Sequence, residues 1–213
     1  MTKITPPIAL EDRASDGARL SSPSATRNRE PIMAALRDRL PEGARVLELA
    51  SGTGEHALAV VSARPDLSWT PSDPDPKSRA SENAWAEEAD GRINPALDLD
   101  VCEDRWWDGL EPVDAIYCAN MIHIAPWAAA EGLFKGAAEL LTEGGALYLY
   151  GPFLEGADTA PSNLDFDASL KQRDPRWGVR PLSDVDALAE QNGLVRTERL
   201  VMPSNNLMLT FKQ

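Results

Sequence analysis

Apolar positions along the chain fall into short runs that alternate between strand-like and helical spacing. "TRNREPIMAALRDRL" sets Ile32, Leu36 and Leu40 at helical intervals, with Pro31 suited to a first helical turn. "PEGARVLELA" is a loop leading into an apolar strand, and "EHALAVVSAR" continues as a helix. "LSWTPSD" is a second strand ending at Asp73, "PKSRASENAWAEE" a helix by composition, and "INPALDLDV" a third, short strand. "PVDAIYCANMI" reads as a buried fourth strand, "AEGLFKGAAELL" as a helix, and "EGGALYLYGPF" as a fifth strand after a Gly-Gly turn. "LSDVDALAEQNG" is a helix with Ser183 expected as its N-cap and Gly193 as its C′ residue. Two final strand-like runs, "LVRTERLVM" and "NLMLTFK", are parted by the turn residues "PSN".

Strand-helix alternation predicts an α/β fold, an open and mostly parallel seven-stranded sheet with helices on both faces. The last two strands break that rule. A parallel crossover needs a dozen or more residues, so a connection this short predicts an antiparallel C-terminal hairpin. Residues 1–24 are polar and rich in Pro, Ser and Ala, and are expected to form a mobile N-terminal arm or lid. Residues 25–213 are expected to be one domain. Within it, 151–181 exceeds the usual strand-helix connection of about 2–6 residues and reads as a lid-like insertion.

Composition narrows the partners. With 213 residues and 43% hydrophobic content the chain can build a full core. No apolar run approaches the roughly 18–20 residues of a membrane span. The opening "MTKITPPIALEDRASDG" lacks the apolar stretch of a secretory signal, so a soluble, cytoplasmic protein without membrane attachment is expected. A formal net charge of −13 gives no basic footprint, which argues against nucleic acid and for a small-molecule substrate. Cys102 and Cys118 sit in no CxxC or Cys/His cluster, and no metal site is expected.

The chemistry concentrates in "VLELASGTGEHALAV", a strand, a glycine turn and the start of a helix. A P-loop needs Lys and Ser/Thr after its last glycine, whereas here Glu55 and His56 follow Gly54. A dinucleotide fingerprint is matched formally by Gly52, Gly54 and Ala57, with Asp73 about twenty residues on, but a lone match is weak. The third ligand is S-adenosylmethionine (SAM), which carries an ammonium, a carboxylate, a sulfonium and a ribosyl adenine. SAM enzymes of the Rossmann-like type resemble this chain in an acidic residue on the first strand, Glu48, before a loop with spaced glycines, Ala50-Ser51-Gly52-Thr53-Gly54. A carboxylate suits that cationic ligand better than a diphosphate. The same enzymes resemble it in ending with an antiparallel strand beside the fifth.

Position gives the remaining candidates, because open α/β sheets bind ligands outside the carboxyl ends of their strands. Asp73 is expected to accept from the ribose hydroxyls; a turn or helix cap in "SDPDP" is the competing role. Asp100 and Val101 stand where such enzymes hold adenine, with Asp98 as a competitor. Asn120 and Met121 are expected to meet the methionine part of SAM. Arg27 and Asn28 are expected to close over its carboxylate or to cap the first helix.

"RNREPI", "VLELASGTGEHA", "YCANMIHIAPW", "GPF", "SNLDFDASLKQRDPRWGVR" and "MPSNNL" together resemble the methyltransferase-like family catalogued as domain of unknown function 938, from about Thr26 to the C-terminus. That resemblance implies a SAM-dependent methyltransferase fold and cofactor, and no particular substrate.

Methyl transfer is an in-line displacement that depends on alignment and exclusion of water. A base is required only if the nucleophile starts protonated. His123, past the fourth strand, is the candidate base or positioning imidazole, and Tyr150 a second candidate facing the pocket. In the 151–181 segment Asn163, Arg173, Trp177 and Arg180 are candidates for binding the acceptor, either arginine reading an anionic group. The competing functions are a non-catalytic SAM or S-adenosylhomocysteine (SAH) binding protein and an NAD(P)-dependent oxidoreductase.

Overall fold

A computed structural model describes residues 13–213. The expected arm falls partly at residues 1–12, outside the described residues. Its remainder carries regular structure. Strands β1 (Ala14–Asp16) and β2 (Arg19–Ser21) form a small antiparallel hairpin before helix α1 (Pro23–Arg37). The helix opens at Ser22, whose side chain accepts from Ala25 N, with Pro23 at the first turn. Pro31 therefore lies inside α1 rather than in its first turn. Lacking an N–H, it leaves the Arg27 carbonyl without its helical donor.

Strands β3 (Arg45–Leu49), β4 (Ser68–Ser72) and β5 (Val113–Ala119) are parallel to one another and to β6 (Leu141–Pro152). The C-terminal strands β7 (Val195–Met202) and β8 (Asn206–Lys212) form the expected antiparallel hairpin, and β8 inserts between β6 and β7. The sheet order is β4-β3-β5-β6-β8-β7. The place expected for a seventh strand is held by two parallel bridges, Trp69 with Ile93 and Ser72 with Leu97, beside the β4 edge. Pro95 interrupts that run and cannot donate to a ladder.

Period-two alternation sorts the strands into two cores, with helices on both faces. Leu47, Leu49, Ile116, Leu147, Leu149 and Phe211 pack with helices α4 (Trp127–Leu140) and α6 (Leu182–Gln191). Val46, Ala115, Tyr117, Tyr148 and Met208 pack with α1 and helix α2 (Glu55–Ala63). Glu48 shares the second face, so its carboxylate is carried into the core beside Trp69. Helix α3 (Pro76–Ala86) lies on the β1–β2 hairpin through Leu20 N to Ser81 Oγ (2.7 Å) and Trp85 Nε1 to Leu20 O (3.0 Å).

Two other expectations change. Helix α6 starts one residue after Pro181 with no side-chain cap, and Ser183 hydroxyl turns to Asp184 instead; Gly193, at φ +75°, does take the C′ position. The 151–181 segment is not a bare loop, since it contains helix α5 (Pro161–Arg173). Among the described residues no helix is long and apolar enough to cross a membrane.

Candidate active site

The carboxyl ends of β3 and β5 open into a cavity of about 480 Å³. Glu48, Ala50, Ser51, Gly52 and Thr53 form one wall, Asn120 and His123 the floor beyond β5, and Tyr150 the end of β6. Helix α1 contributes Arg27, Asn28 and Pro31, α5 contributes Asn163, Phe166, Leu170 and Arg173, and the β7–β8 turn adds Ser204 and Asn206. Its volume lies within the range of about 300–1,000 Å³ found for small-molecule sites.

Both strand ends carry left-handed backbone where glycine would be easier. Ala50 has φ +55° and Asn120 φ +59°. Such residues cost free energy and persist where the surroundings fix them. Asn120 is fixed by its N–H, which donates to Tyr150 O at 2.8 Å. Gly52 (φ +66°) and Gly54 (φ +89°) continue the turn. A Cβ at Gly54 would lie 2.9 Å from Glu82 Cα, so only glycine lets α3 approach the loop so closely. Asp73 ties the loop to β4: its carboxylate accepts from Gly52 N (3.1 Å) and from Asp75 N (2.8 Å).

Glu55 follows the turn and holds three elements at once. Its carboxylate accepts from Ser22 N (3.1 Å), Thr26 Oγ1 (3.2 Å) and Thr53 Oγ1 (3.0 Å). The sequence shows Glu55 only as a residue unsuited to phosphate; the fold makes it the clamp between α1 and the glycine loop.

Electrostatics in the wall are set by burial. Glu48 accepts from Trp69 Nε1 at 2.9 Å, yet desolvation pushes its pKa up to about 8. Burial lowers His56 to about 4, and its Nε2 pairs with Asn28 Oδ1 at 2.8 Å. The 4.0 Å approach of His56 to Glu48 is thus mostly a contact between uncharged groups near neutral pH, not an ion pair. Tyr150 hydroxyl is held protonated by burial, against a hydrogen bond from Asn28.

His123 is fully buried, with burial and the nearby Arg180 lowering its pKa to about 3. Its ring packs edge-on to Phe153. Nδ1 accepts from Arg180 N at 3.4 Å, which leaves the proton on Nε2, and Nε2 has no partner among the described residues. In that tautomer Nε2 carries the proton, and the fully buried ring presents no open surface to the cavity.

Several predicted residues are placed elsewhere. Arg180 does not face the cavity: its guanidinium donates to Ile122 O (2.8 Å), Ala125 O (2.7 Å) and Arg176 O (2.9 Å) and lies over Trp127. Trp177, Met121, Gly54 and Asp73 also lie outside the cavity wall, Asp73 being joined to it through Gly52 N. Asp100 is exposed and accepts from Cys102 N, while Val101 is drawn onto α4. There Gly132 and Gly136 leave a groove, since a Cβ at Gly132 would sit 1.8 Å from Val101 O and one at Gly136 2.0 Å from the Trp106 ring. Asn163 lines the cavity, but its amide donates to Phe153 O and Asn205 O, anchoring α5 to the hairpin turn. Arg13 also lines the cavity, although the sequence places it in the expected arm; Ser22-Pro23 is the helix-start signal that marks ordered chain there.

A family model described as "Protein of unknown function (DUF938)" matches residues 19–213. The chain belongs to the DUF938 family. Solved structures similar to this family member include methyltransferases. An O-methyltransferase family protein from Burkholderia thailandensis superposes with a TM-score of 0.76 at 19% identity, over 89% of this chain and 57% of that one. An O-methyltransferase family 2 protein from Planctomyces limnophilus, in complex with apigenin, gives 0.72 at 19% identity, over 89% and 60%. CalO1, a methyltransferase in calicheamicin biosynthesis in its SAH-bound form, gives 0.73 at 14%, over 88% and 54%. The chain thus spans little more than half the length of these proteins, and the likeness is one of fold.

Proposed function

We propose that this DUF938 protein is a SAM-dependent methyltransferase acting on a small-molecule acceptor. The observation carrying this is the cavity itself, which joins the left-handed turn from Ala50 through Gly52 and the left-handed Asn120 to a wall built by α5, at the carboxyl ends of parallel strands. The S-adenosylmethionine-dependent methyltransferase SibL, another similar structure, and the SAH in CalO1 support the same cofactor. When bound, SAM supplies an electrophilic methyl group. The residues that would hold it are Glu48, Ala50, Gly52, Gly54 and Asn120 around the turn, with Asp73 for the ribose and Arg27 and Asn28 for the carboxylate. The fit is chemical: Glu48 offers a carboxylate to an ammonium, and a cation beside it would favour ionisation of a group now held near 8 by desolvation.

The chain's own residues then orient and shield the acceptor. Phe166 and Leu170 exclude water from one side. His123, buried beneath the cavity floor, would serve as a positioning residue behind Asn120 rather than as a group that touches the acceptor, and Tyr150 remains a neutral hydroxyl.

Isothermal calorimetry with SAM, SAH and NADH tests the reading, followed by a labelled-SAM metabolite screen. SAM and SAH binding with transfer of label is expected. Tight NADH binding without SAM binding overturns it, and SAM binding with no methylated product favours the non-catalytic alternative.

A further inference from the structure

Glu48 is an acid on the cavity wall whose polar partners are uncharged. It is only 1% exposed, and the donors that reach its carboxyl, Trp69 Nε1 at 2.9 Å and the Ser51 hydroxyl, are neutral. The basic group set against it is His56 of α2, with Nδ1 4.0 Å from Oε1. That ring has no proton on the side facing Glu48. Asn28 donates its amide to the Tyr150 hydroxyl and so turns Oδ1 toward His56, whose Nε2 donates to it at 2.8 Å. Nδ1 is then an acceptor, and the Tyr117 hydroxyl of β5 faces it at 3.4 Å. Burial and Arg29 of α1 keep the imidazole neutral.

The other ionisable neighbours on this side are mostly acids. Asp73, just past β4, opposes a negative charge on Glu48. Glu82 of α3 lies under the glycine turn, with Cα 2.9 Å and Cγ 3.3 Å from the position of a Cβ on Gly54. It is 1% exposed, and neither of its oxygens has a partner among the described residues. Asp73, Glu48 and Asp75 all act against its ionisation. The arginines here serve the other acids: Arg13 acts on Asp73, and Arg79 on Glu82. Of these carboxyls, Glu48 is the one on the cavity wall. Folding thus places a buried acid at the site and supplies it with no cation.

We propose that the cofactor enters this site in exchange for a proton: Glu48 is a neutral acid in the free protein and releases its proton to solvent when the amino-acid ammonium of the ligand supplies the missing cation. This rests on the cofactor reading above and adds how pH governs that site. The sign follows from linkage. Free Glu48, with its pKa at about 8, is mostly protonated at pH 7. A neighbouring cation lowers that pKa. Binding at neutral pH therefore expels a proton, and affinity climbs with pH until it levels off near 8. His56 contributes nothing in this range, because its ring gains a proton only near pH 4.

The test is calorimetry of SAH binding to the full chain at pH 7 in phosphate and in Tris, whose different ionisation enthalpies count the protons exchanged. Release of about 0.5–1 proton is expected, with affinity rising about tenfold from pH 6 to 7.5. Glu48→Gln keeps the shape of the side chain and cannot ionise. It should lose the release and most of the rise, and approach the wild-type affinity at pH 5.5. SAH binding without proton release, or release that persists in Glu48→Gln, would overturn the proposal and leave the cofactor reading standing. So would release of the same size with 5′-methylthioadenosine, which lacks the amino acid. Absence of SAH binding at every pH sinks the cofactor reading instead. The proton count and the pH profile need only the wild-type protein, so a misfolded variant does not blunt the test.

Discussion

Gly151→Ala isolates the packing of His123. Gly151 lies in β6 opposite Leu207 of β8 and has no left-handed backbone, so alanine meets no conformational penalty there. On backbone grounds alone the change should stabilise by about 0.4–1 kcal/mol through the unfolded chain. Packing reverses that sign. The new Cβ would sit 2.6 Å from His123 Nε2, 2.9 Å from Cδ2 and 3.3 Å from Asn120 Oδ1. The imidazole has little room to retreat, because it is fully buried against Phe153 and its carbonyl accepts from Gly178 N at 2.9 Å. Overpacking of this kind costs about 1–3 kcal/mol. For a chain of this size Tm should fall by roughly 2–12 °C, at about 2–4 °C per kcal/mol. Urea denaturation of the wild type, Gly151→Ala, His123→Ala and the double variant closes a cycle. In the His123→Ala background the methyl enters vacated space, so Gly151→Ala should become neutral or stabilising, with a coupling of at least about 1 kcal/mol. A Gly151→Ala protein as stable as wild type, or one equally destabilised with and without the imidazole, would refute the contact.

Arg180→Gln should lower stability by about 2–4 kcal/mol in thermal or urea denaturation, because three carbonyls lose a charged donor; an unaffected midpoint would show that Arg180 is not a scaffold. Glu82 is buried with neither carboxylate oxygen paired among the described residues, and burial raises its pKa to about 9, so Glu82→Met should raise stability in urea denaturation by about 1–3 kcal/mol; a loss would reveal a partner for the acid. Glu48 is raised from 4.5 to about 8, so the folded state keeps a proton that the unfolded chain releases. Its stabilising contribution is full below about pH 4.5 and is lost as pH climbs toward 8; Glu48→Gln should flatten that slope between pH 5 and 8 in urea midpoints, and an unchanged slope would place the titration elsewhere. Asp73→Ala should weaken SAH binding in calorimetry by about 1–3 kcal/mol, through the lost ribose acceptor or the loosened Gly52 turn, and equal affinity would remove Asp73 from the site.

Local pattern was enough for the framework. Short apolar runs spaced by helices gave the parallel strands, since strand period and crossover length are properties of a few consecutive residues. The three-residue "PSN" connection required β7 and β8 to be antiparallel. The glycine turn with Glu48 behind it, and Asn120 at the end of the fourth predicted strand, were legible because left-handed backbone and strand ends leave local signatures. So the resemblance to DUF938 and the glycine-turn side of the cavity could be read from residues alone.

Whatever depended on partners far along the chain could not. Helix α5 has only Phe166 and Leu170 among its larger inward apolar residues, too few to mark a helix, and becomes one face of a cavity only when Asn163 anchors it to Asn205. Arg180 looked like an anion reader because its charge is visible in sequence, whereas two of the carbonyls that consume it, Ile122 O and Ala125 O, lie 58 and 55 residues away. Val101 was drawn from the strand ends by a groove at Gly132 and Gly136, a matter of which helix packs beneath it. The Glu48 carboxyl follows the same rule: a net charge of −13 is a sum over the chain, while the pKa of one group answers to the burial that folding imposes on it.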